Sequence, residues 1–332
     1  MREPRFWSGE PDPRSRDAAP LTRFLLTPFA WLYATITARK IATGTSTNVN
    51  ATVICIGNIS AGGVGKSPVV AALRARISNQ TQHRTATLSR GFGGRLKGPL
   101  KIDPNIHTAA EVGDEPLMLS HSGESWIGAN RGAAGQAMTD NGVDVILMDD
   151  GHQNPGLAKD LSLIVVDAKT KFGNGFVIPK GPLREPVAKG LARADAIILI
   201  GDGPVPEEAI ASDLPVLHAL IVPVGVPPSI PLVAFAGIGR PEKVFETLQN
   251  AGADVRETVP FPDHHVYSDR DLKYLRNLAS DHQATLITTE KDYVRLKQYQ
   301  RDNILTLQVQ AQFKDTDLLD RILASVLKAD PA

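Results

Sequence analysis

Apolar runs mostly unbroken by polar positions recur through the first part of the chain, at residues 53–57, 85–88, 143–148, 161–166 and 196–200. A strand with one wet face alternates apolar and polar residues, whereas a strand covered on both faces does not. These runs therefore predict a mostly parallel sheet with helices on both faces. After the first run the period lengthens, and Val69, Val70, Leu73 and Ile77 repeat at helical spacing. Proline then concentrates between 201 and 231, at Pro204, Pro206, Pro215, Pro223, Pro227, Pro228 and Pro231, which places an inter-domain connection there. Beyond it, strands are expected at 232–235, 285–288 and 304–307, and helices at 241–250, 269–280 and 316–327. Gly252 stands where a helix stop belongs. The expected architecture is α/β: a larger first domain over residues 41–222 and a smaller α/β domain over 223–332, whose last helix is free to return to the first. An N-terminal segment, 1–40, attaches to the first domain.

In that segment Leu21, Phe24, Leu25, Phe29, Leu32 and Ile36 fall on one helical face, with Trp31 and Tyr33 nearby and Arg23, Arg39 and Lys40 at the flanks. Two readings fit: a helix lying in a membrane interface, or an amphipathic helix packed on the domain. Pro28 interrupts the stretch and Glu3, Glu10, Asp12 and Asp17 precede it, so a secretory signal is the poorer reading. No run of about eighteen apolar residues occurs, and a conventional membrane span is not expected.

The chain has 332 residues, enough for two domains, with 36 basic and 36 acidic side chains. Balanced charge supplies no global field toward nucleic acid. The single cysteine, Cys55, lies inside the first apolar run, which argues against a disulfide framework or a thiolate metal site and for a reducing compartment.

Between the first strand and the first helix the chain reads Ser60, Ala61, Gly62, Gly63, Val64, Gly65, Lys66, Ser67. This is a phosphate-binding loop in its proper context, strand before and helix after. Its backbone N–H groups and the helix N-terminus would cradle a nucleoside triphosphate, with Lys66 near the transferring phosphoryl and Ser67 on a magnesium ion. Ser60 replaces the usual first glycine, and Pro68 removes one N–H but is tolerated in a first helical turn. The run 143–148 ends in Asp149 and Asp150, the form of a second magnesium-binding motif, with either carboxylate able to reach the metal.

Four other constellations carry candidate chemistry. Gly113-Asp114-Glu115-Pro116 offers a carboxylate base for an attacking hydroxyl, or a turn with a helix cap. The loops around Arg90 and Arg184 suit a phosphorylated substrate, since a guanidinium pairs two oxygens at once. Asp263-His264-His265 could bind metal, orient a base or finish a loop; no further His or Cys spacing completes a ligand set, and only one of two adjacent histidines can face a shared site. Thr289-Glu290-Lys291-Asp292 invites comparison with a guanine-reading element, but its lysine and aspartate are adjacent rather than one residue apart, which favours ATP over GTP.

Taken together with Gly57-Asn58-Ile59, Ser89 to Gly94, Gly151-His152-Gln153, Phe172-Gly173-Asn174-Gly175 and Gly181 to Glu185, these motifs resemble the tetraacyldisaccharide 4'-kinase family of lipid A biosynthesis, in order and spacing across most of the chain. The resemblance implies transfer of the ATP γ-phosphate, with Mg2+, to the 4'-hydroxyl of a tetraacylated glucosamine disaccharide 1-phosphate at the cytoplasmic face of the bacterial inner membrane. It implies Asp114 as catalytic base with His264 closing a dyad, and substrate-side roles for Arg90, Glu115, Arg131, Gln153, Asn154, Arg184 and Glu185. It also turns the N-terminal helix toward membrane docking and implies a glycolipid partner, no nucleic acid and no stable protein partner. His152 stands where the family usually has an apolar residue, and Asn154 where it usually has a histidine. The alternative class is a nucleotide hydrolase of the GTPase or metallochaperone type, which would want a guanine reader and a His/Cys metal cluster.

Overall fold

The structure is a computed structural model and describes residues 4–8 and 18–327; Glu3, Glu10, Asp12 and Asp17 lie outside the described residues. The first unit contains β1 (Thr52–Gly57), β2 (Thr85–Ser89), β3 (Leu100–Lys101), β4 (Ser125–Ile127), β5 (Val145–Asp149), β6 (Leu161–Asp167), β7 (Ala196–Ile200) and β8 (Val216–Pro223). The second contains β9 (Leu232–Ala236), β10 (Val255–Pro260), β11 (Thr285–Thr289) and β12 (Ile304–Leu307), and the chain then returns as β13 (Val309–Phe313). The helices are α1 (Pro20–Thr43), α2 (Lys66–Gln80), α3 (Ala109–Val112), α4 (Asp114–Ser120), α5 (Arg131–Asp140), α6 (Val187–Leu191), α7 (Glu207–Ile210), α8 (Glu242–Asn250), α9 (Asp269–Asp281), α10 (Glu290–Tyr293) and α11 (Thr316–Ala324).

The first sheet is nine-stranded, ordered β13-β8-β7-β6-β1-β5-β2-β4-β3, and only the edge pairs β13/β8 and β3/β4 run antiparallel. The second has four parallel strands in the order β10-β9-β11-β12. This is the mostly parallel α/β sheet with a second α/β unit that the apolar runs predict. Alternate residues of β1 show why those runs do not alternate. Ile54 and Ile56 enter one core with Val70, Leu73 and Ile77 of α2, while Val53 and Cys55 enter another with Met138 of α5.

The connection is shorter than the proline-rich stretch, and the end of the chain takes the return left open for it. The proline-rich stretch is not all connection: it holds α7 and β8, and the chain crosses to the second sheet at residues 224–231. Pro215 precedes β8 and Pro223 ends it, positions where a missing N–H costs no central ladder bond. Residues 309–327 come back to the first sheet, because Leu319 and Leu323 of α11 complete the same core as α2.

β1 lies between β5 and β6, so the chain order reverses around it. All three strands are parallel and end at the same edge. The loops that follow them therefore meet in one crevice, where ligands of open α/β sheets bind.

The helix α1 runs unbroken through Pro28 and buries only Ala30, leaving Phe24 74% and Trp31 70% exposed. Ahead of it in the chain, residues 4–8 are held to the first unit, where Trp7 Nε1 donates to the Pro179 carbonyl at 3.0 Å and Asn174 Nδ2 to the Phe6 carbonyl at 2.7 Å. Of the two readings open to this segment, exposure disfavours a helix packed on the domain.

Candidate active site

The loop of residues 60–67 leaves β1 and turns into α2, with Gly62 and Gly65 at φ 105° and 91°, conformations that side-chain-bearing residues rarely adopt. Ser60, in place of a glycine, bridges to Leu183, and the Ala61 N–H donates to the Pro182 carbonyl at 2.7 Å. That pairing pins the 181–185 loop to the phosphate loop and delivers Arg184 to the crevice. Lys66 and Ser67 open α2, and Pro68 lies in its first turn without breaking it. Lys66 Nζ lies 3.4 Å from Asp150 Oδ1, and Arg184 Nη1 donates to the same oxygen at 2.7 Å.

Asp149 ends β5 and Asp150 begins the following turn at φ 54°. Their surroundings separate them. Burial opposes the Asp150 charge, but Lys66 and Arg184 outweigh it and hold its carboxyl down to about 2. Burial and then the Glu115 charge push the Asp149 carboxyl up, against the pull of Lys66. Asp149 Oδ1 is buried with no hydrogen-bond partner. An orphaned carboxylate oxygen beside a phosphate loop fits a cation ligand, because a buried acceptor left without a donor is otherwise costly.

A second cluster, around Asp114, is assembled from both units. Gly113, at φ 94°, lets Asp114 open α4. His264, itself at φ 57° on the loop after β10, places Nδ1 2.9 Å from Asp114 Oδ2. Phe92, from the loop after β2, sets its ring 5.6 Å from the imidazole. Only one histidine of the pair faces this point; His265 turns away to Asp271 at 3.1 Å and packs on Phe261. Arg295 donates through Nε to Asp114 Oδ2 at 2.7 Å, and Lys291 pairs with Glu115 at 2.9 Å. Burial works against the Asp114 charge, yet the His264 hydrogen bond and the charges of Lys291 and Arg295 prevail, and its carboxyl lies well below the usual carboxylate range.

The remaining candidates divide by partner. Gln153 donates to the Asn58 carbonyl at 2.8 Å and to Glu185 at 3.0 Å, within reach of Arg184. Glu185 is buried in a two-pronged pair with Arg193 at 2.8 Å on each oxygen. Arg131 opens α5 and is buried with its Nε unpartnered; burial first, then Arg90, lowers it to about 10. Arg90 itself is exposed. Asn154 closes on its own loop, accepting from the Gly156 N–H at 2.8 Å, and does not join the cluster.

The second unit also reaches the phosphate loop. Arg240 Nη2 donates to the Gly63 carbonyl at 2.8 Å, and Arg240 and Lys243 both pair with the buried Asp167. Reading the sequence alone missed Arg240, Lys243 and Arg295, which sit in unremarkable polar stretches. Lys291 was visible only as half of a failed guanine reader.

A glycine-rich loop opening a helix and a lysine facing an acidic strand end place the chain among the phosphate-loop nucleotide-binding proteins. Family comparison narrows this. The family model described as tetraacyldisaccharide-1-P 4'-kinase matches residues 22–328, and the chain belongs to that family. It is 57% identical over 328 residues to the tetraacyldisaccharide 4'-kinase of Hyphomonas neptunium, covering 99% of this chain and 98% of that protein. It is 46% identical over 341 residues to the same-named protein of Maricaulis maris, covering 99% and 98%. The crystal structure of the "apo" form of LpxK from Aquifex aeolicus in complex with ATP superposes with a TM-score of 0.74 at 25% identity, covering 92% of this chain and all of that one.

Proposed function

We propose that this chain transfers the γ-phosphoryl of ATP to the 4'-hydroxyl of a tetraacylated glucosamine disaccharide 1-phosphate. The observation that carries the reading is that the second unit reaches both clusters of the first: Lys66 lies 3.4 Å from Asp150 on the phosphate loop, to which Arg240 is tied at Gly63 at 2.8 Å, while His264 and Arg295 meet Asp114 at 2.9 and 2.7 Å. The backbone of residues 60–65 and the start of α2 would hold the phosphates, with Lys66 exchanging Asp150 for a phosphate oxygen. Ser67 and Asp149 would hold Mg2+, which supplies charge neutralisation on the phosphate oxygens. Asp149 is the direct carboxylate ligand in this reading, since its Oδ1 lacks a donor while Asp150 already has Lys66 and Arg184.

Asp114 receives the hydroxyl proton and His264 orients it. A carboxylate of low basicity suits this step, because a loose transition state demands little proton removal early on. Gln153, Arg131, Arg90 and Arg184 would line the glycolipid side, with Glu185 bracing Gln153. Contact between the units keeps water from a phosphoryl group that hydrolysis would otherwise consume.

The test is ADP formation measured with and without detergent-solubilised glycolipid acceptor. Turnover should depend on the acceptor; equal ADP release in its absence sinks phosphoryl transfer and favours a nucleotide hydrolase. Against that alternative, Lys291 and Asp292 are engaged by Glu115 and by Tyr267 and Arg295 rather than turned toward a base site.

Among the described residues no helix is long and apolar enough to cross a membrane. The exposed apolar side chains of α1 support docking on the inner-membrane surface from the cytoplasmic side, where the acyl chains of the acceptor sit. Burying one such aromatic is worth about 1.5–3 kcal/mol, so Phe24→Ser should weaken co-sedimentation with anionic phospholipid vesicles about tenfold. Unchanged sedimentation would count against the docking helix.

A further inference from the structure

We propose that Arg295 is the positioning residue of the acceptor side, holding the Asp114 carboxylate and the His264 imidazole in one fixed arrangement so that the second unit completes the active site. This rests on the reading of Asp114 as proton acceptor. The Arg295 side chain, 6% exposed, follows α10 and spans two carboxylates. Nε and Nη2 both donate to Asp114 Oδ2, while Nη1 donates to Asp292 Oδ1 at 2.8 Å and to the Gly237 carbonyl at 2.6 Å. Asp292 is fully buried and further fixed by the Tyr267 hydroxyl at 2.9 Å and the Gly237 N–H at 3.1 Å. The guanidinium therefore hangs from a rigid frame in the second unit and reaches across to the first.

Its chemistry explains the Thr289 to Asp292 motif, which the nucleotide site does not use. Lys291 and Arg295 are four residues apart and meet Glu115 and Asp114, the first two residues of α4. Asp292 holds Arg295, and Thr289 caps the turn through the Asp292 N–H at 3.0 Å. With Arg295 and His264 saturating Oδ2, Asp114 Oδ1 accepts, among the described residues, only the Glu115 N–H, at 2.9 Å. Oδ1 thus keeps a lone pair for the acceptor hydroxyl. A lysine could supply charge at this point but not a planar fork bridging two carboxylates.

The pH consequence follows from the groups around Asp114: Glu115 on its own helix, Lys291 and Arg295 from the second unit, and His264 with Asp263 beside it. Arg295 is one of the charges that counter burial. Removing it raises the Asp114 carboxyl, so the competent ionised form is lost at a higher pH as the solution is acidified. The acid limb of the rate profile must then move upward.

The experiment measures kcat, KM for ATP and the pH profile for phosphorylation of solubilised glycolipid by full-length Arg295→Met, Arg295→Lys, Asp114→Asn and the Asp114→Asn/Arg295→Met double variant. Arg295→Met should lower kcat about 10- to 100-fold, leave KM for ATP within about twofold and shift the acid limb upward. Arg295→Lys should recover part of kcat with the limb near its original place, and it carries the test if the methionine variant does not fold. In the double variant the methionine should add little to the loss from Asp114→Asn, as expected of groups acting as a unit. An unmoved acid limb with kcat within twofold, a lysine variant of wild-type kcat, or full additivity overturns the proposal. Near-wild-type turnover of Asp114→Asn would instead overturn the reading of Asp114 on which it rests.

Discussion

Asparagine at position 114 should lower kcat about 10²-fold or more while leaving KM for ATP nearly unchanged. The amide keeps the shape of the carboxylate but cannot take a proton from the acceptor, and a positioned general base is worth roughly 10²- to 10⁴-fold. The phosphate loop is untouched, so nucleotide binding has no reason to fail. The substitution should also destabilise the protein. It removes one of the two carboxylates that face Arg295, whose side chain is only 6% exposed, while Asp292 stays at 2.8 Å, so the cost should fall below the roughly 3–5 kcal/mol of leaving a buried charge unpaired. Thermal melts must therefore accompany the kinetics, with kcat taken per folded molecule. Because the Asp114 carboxyl is held below its ordinary range, its contribution to stability is fully present above the usual carboxylate pKa. It is lost only as the pH falls through the depressed value. A variant with kcat within threefold of the parent would remove Asp114 from the proton-accepting role.

Lys66→Met should lower kcat about 10²- to 10³-fold, the loss typical of removing one preorganised charge or donor from a developing transition state. Methionine fills the same space without the charge, and Asp150 keeps Arg184 at 2.7 Å, so the loop should fold. Backbone N–H groups still cradle the phosphates. The loss should accordingly appear mainly in kcat, with ATP affinity by calorimetry reduced far less. Equal losses in affinity and kcat would recast Lys66 as a residue that only binds nucleotide.

The two predictions draw on features of different visibility. The residues around Lys66 were legible because the loop's chemistry is contiguous: strand, glycines, lysine and helix follow one another. The pair Asp149 and Asp150 was legible as a strand end, yet the chain alone could not rank them. Only packing leaves Asp149 Oδ1 without a donor and Asp150 between two cations. Arg295 was invisible because its partner Asp114 is 181 residues away, and Arg240 meets Gly63 across 177. A lone arginine in a polar turn carries no signal of what it will face. The prolines of 201–231 bracketed the connection without showing how little of the stretch it takes, since proline marks both linkers and strand ends, and here β8 lies between two of them.

The sequence by itself determined the α/β class, the phosphate loop, the acidic strand end and the family resemblance, all of which depend on neighbouring residues and on the two periods of helix and strand. Only the tertiary structure decided that Asp114, His264 and Arg295 share one carboxylate oxygen, that β13 and α11 return to the first sheet and that α1 stands exposed. Local patterns fix which face of an element is apolar. Which distant charge comes to rest against a given carboxylate depends on how whole units pack.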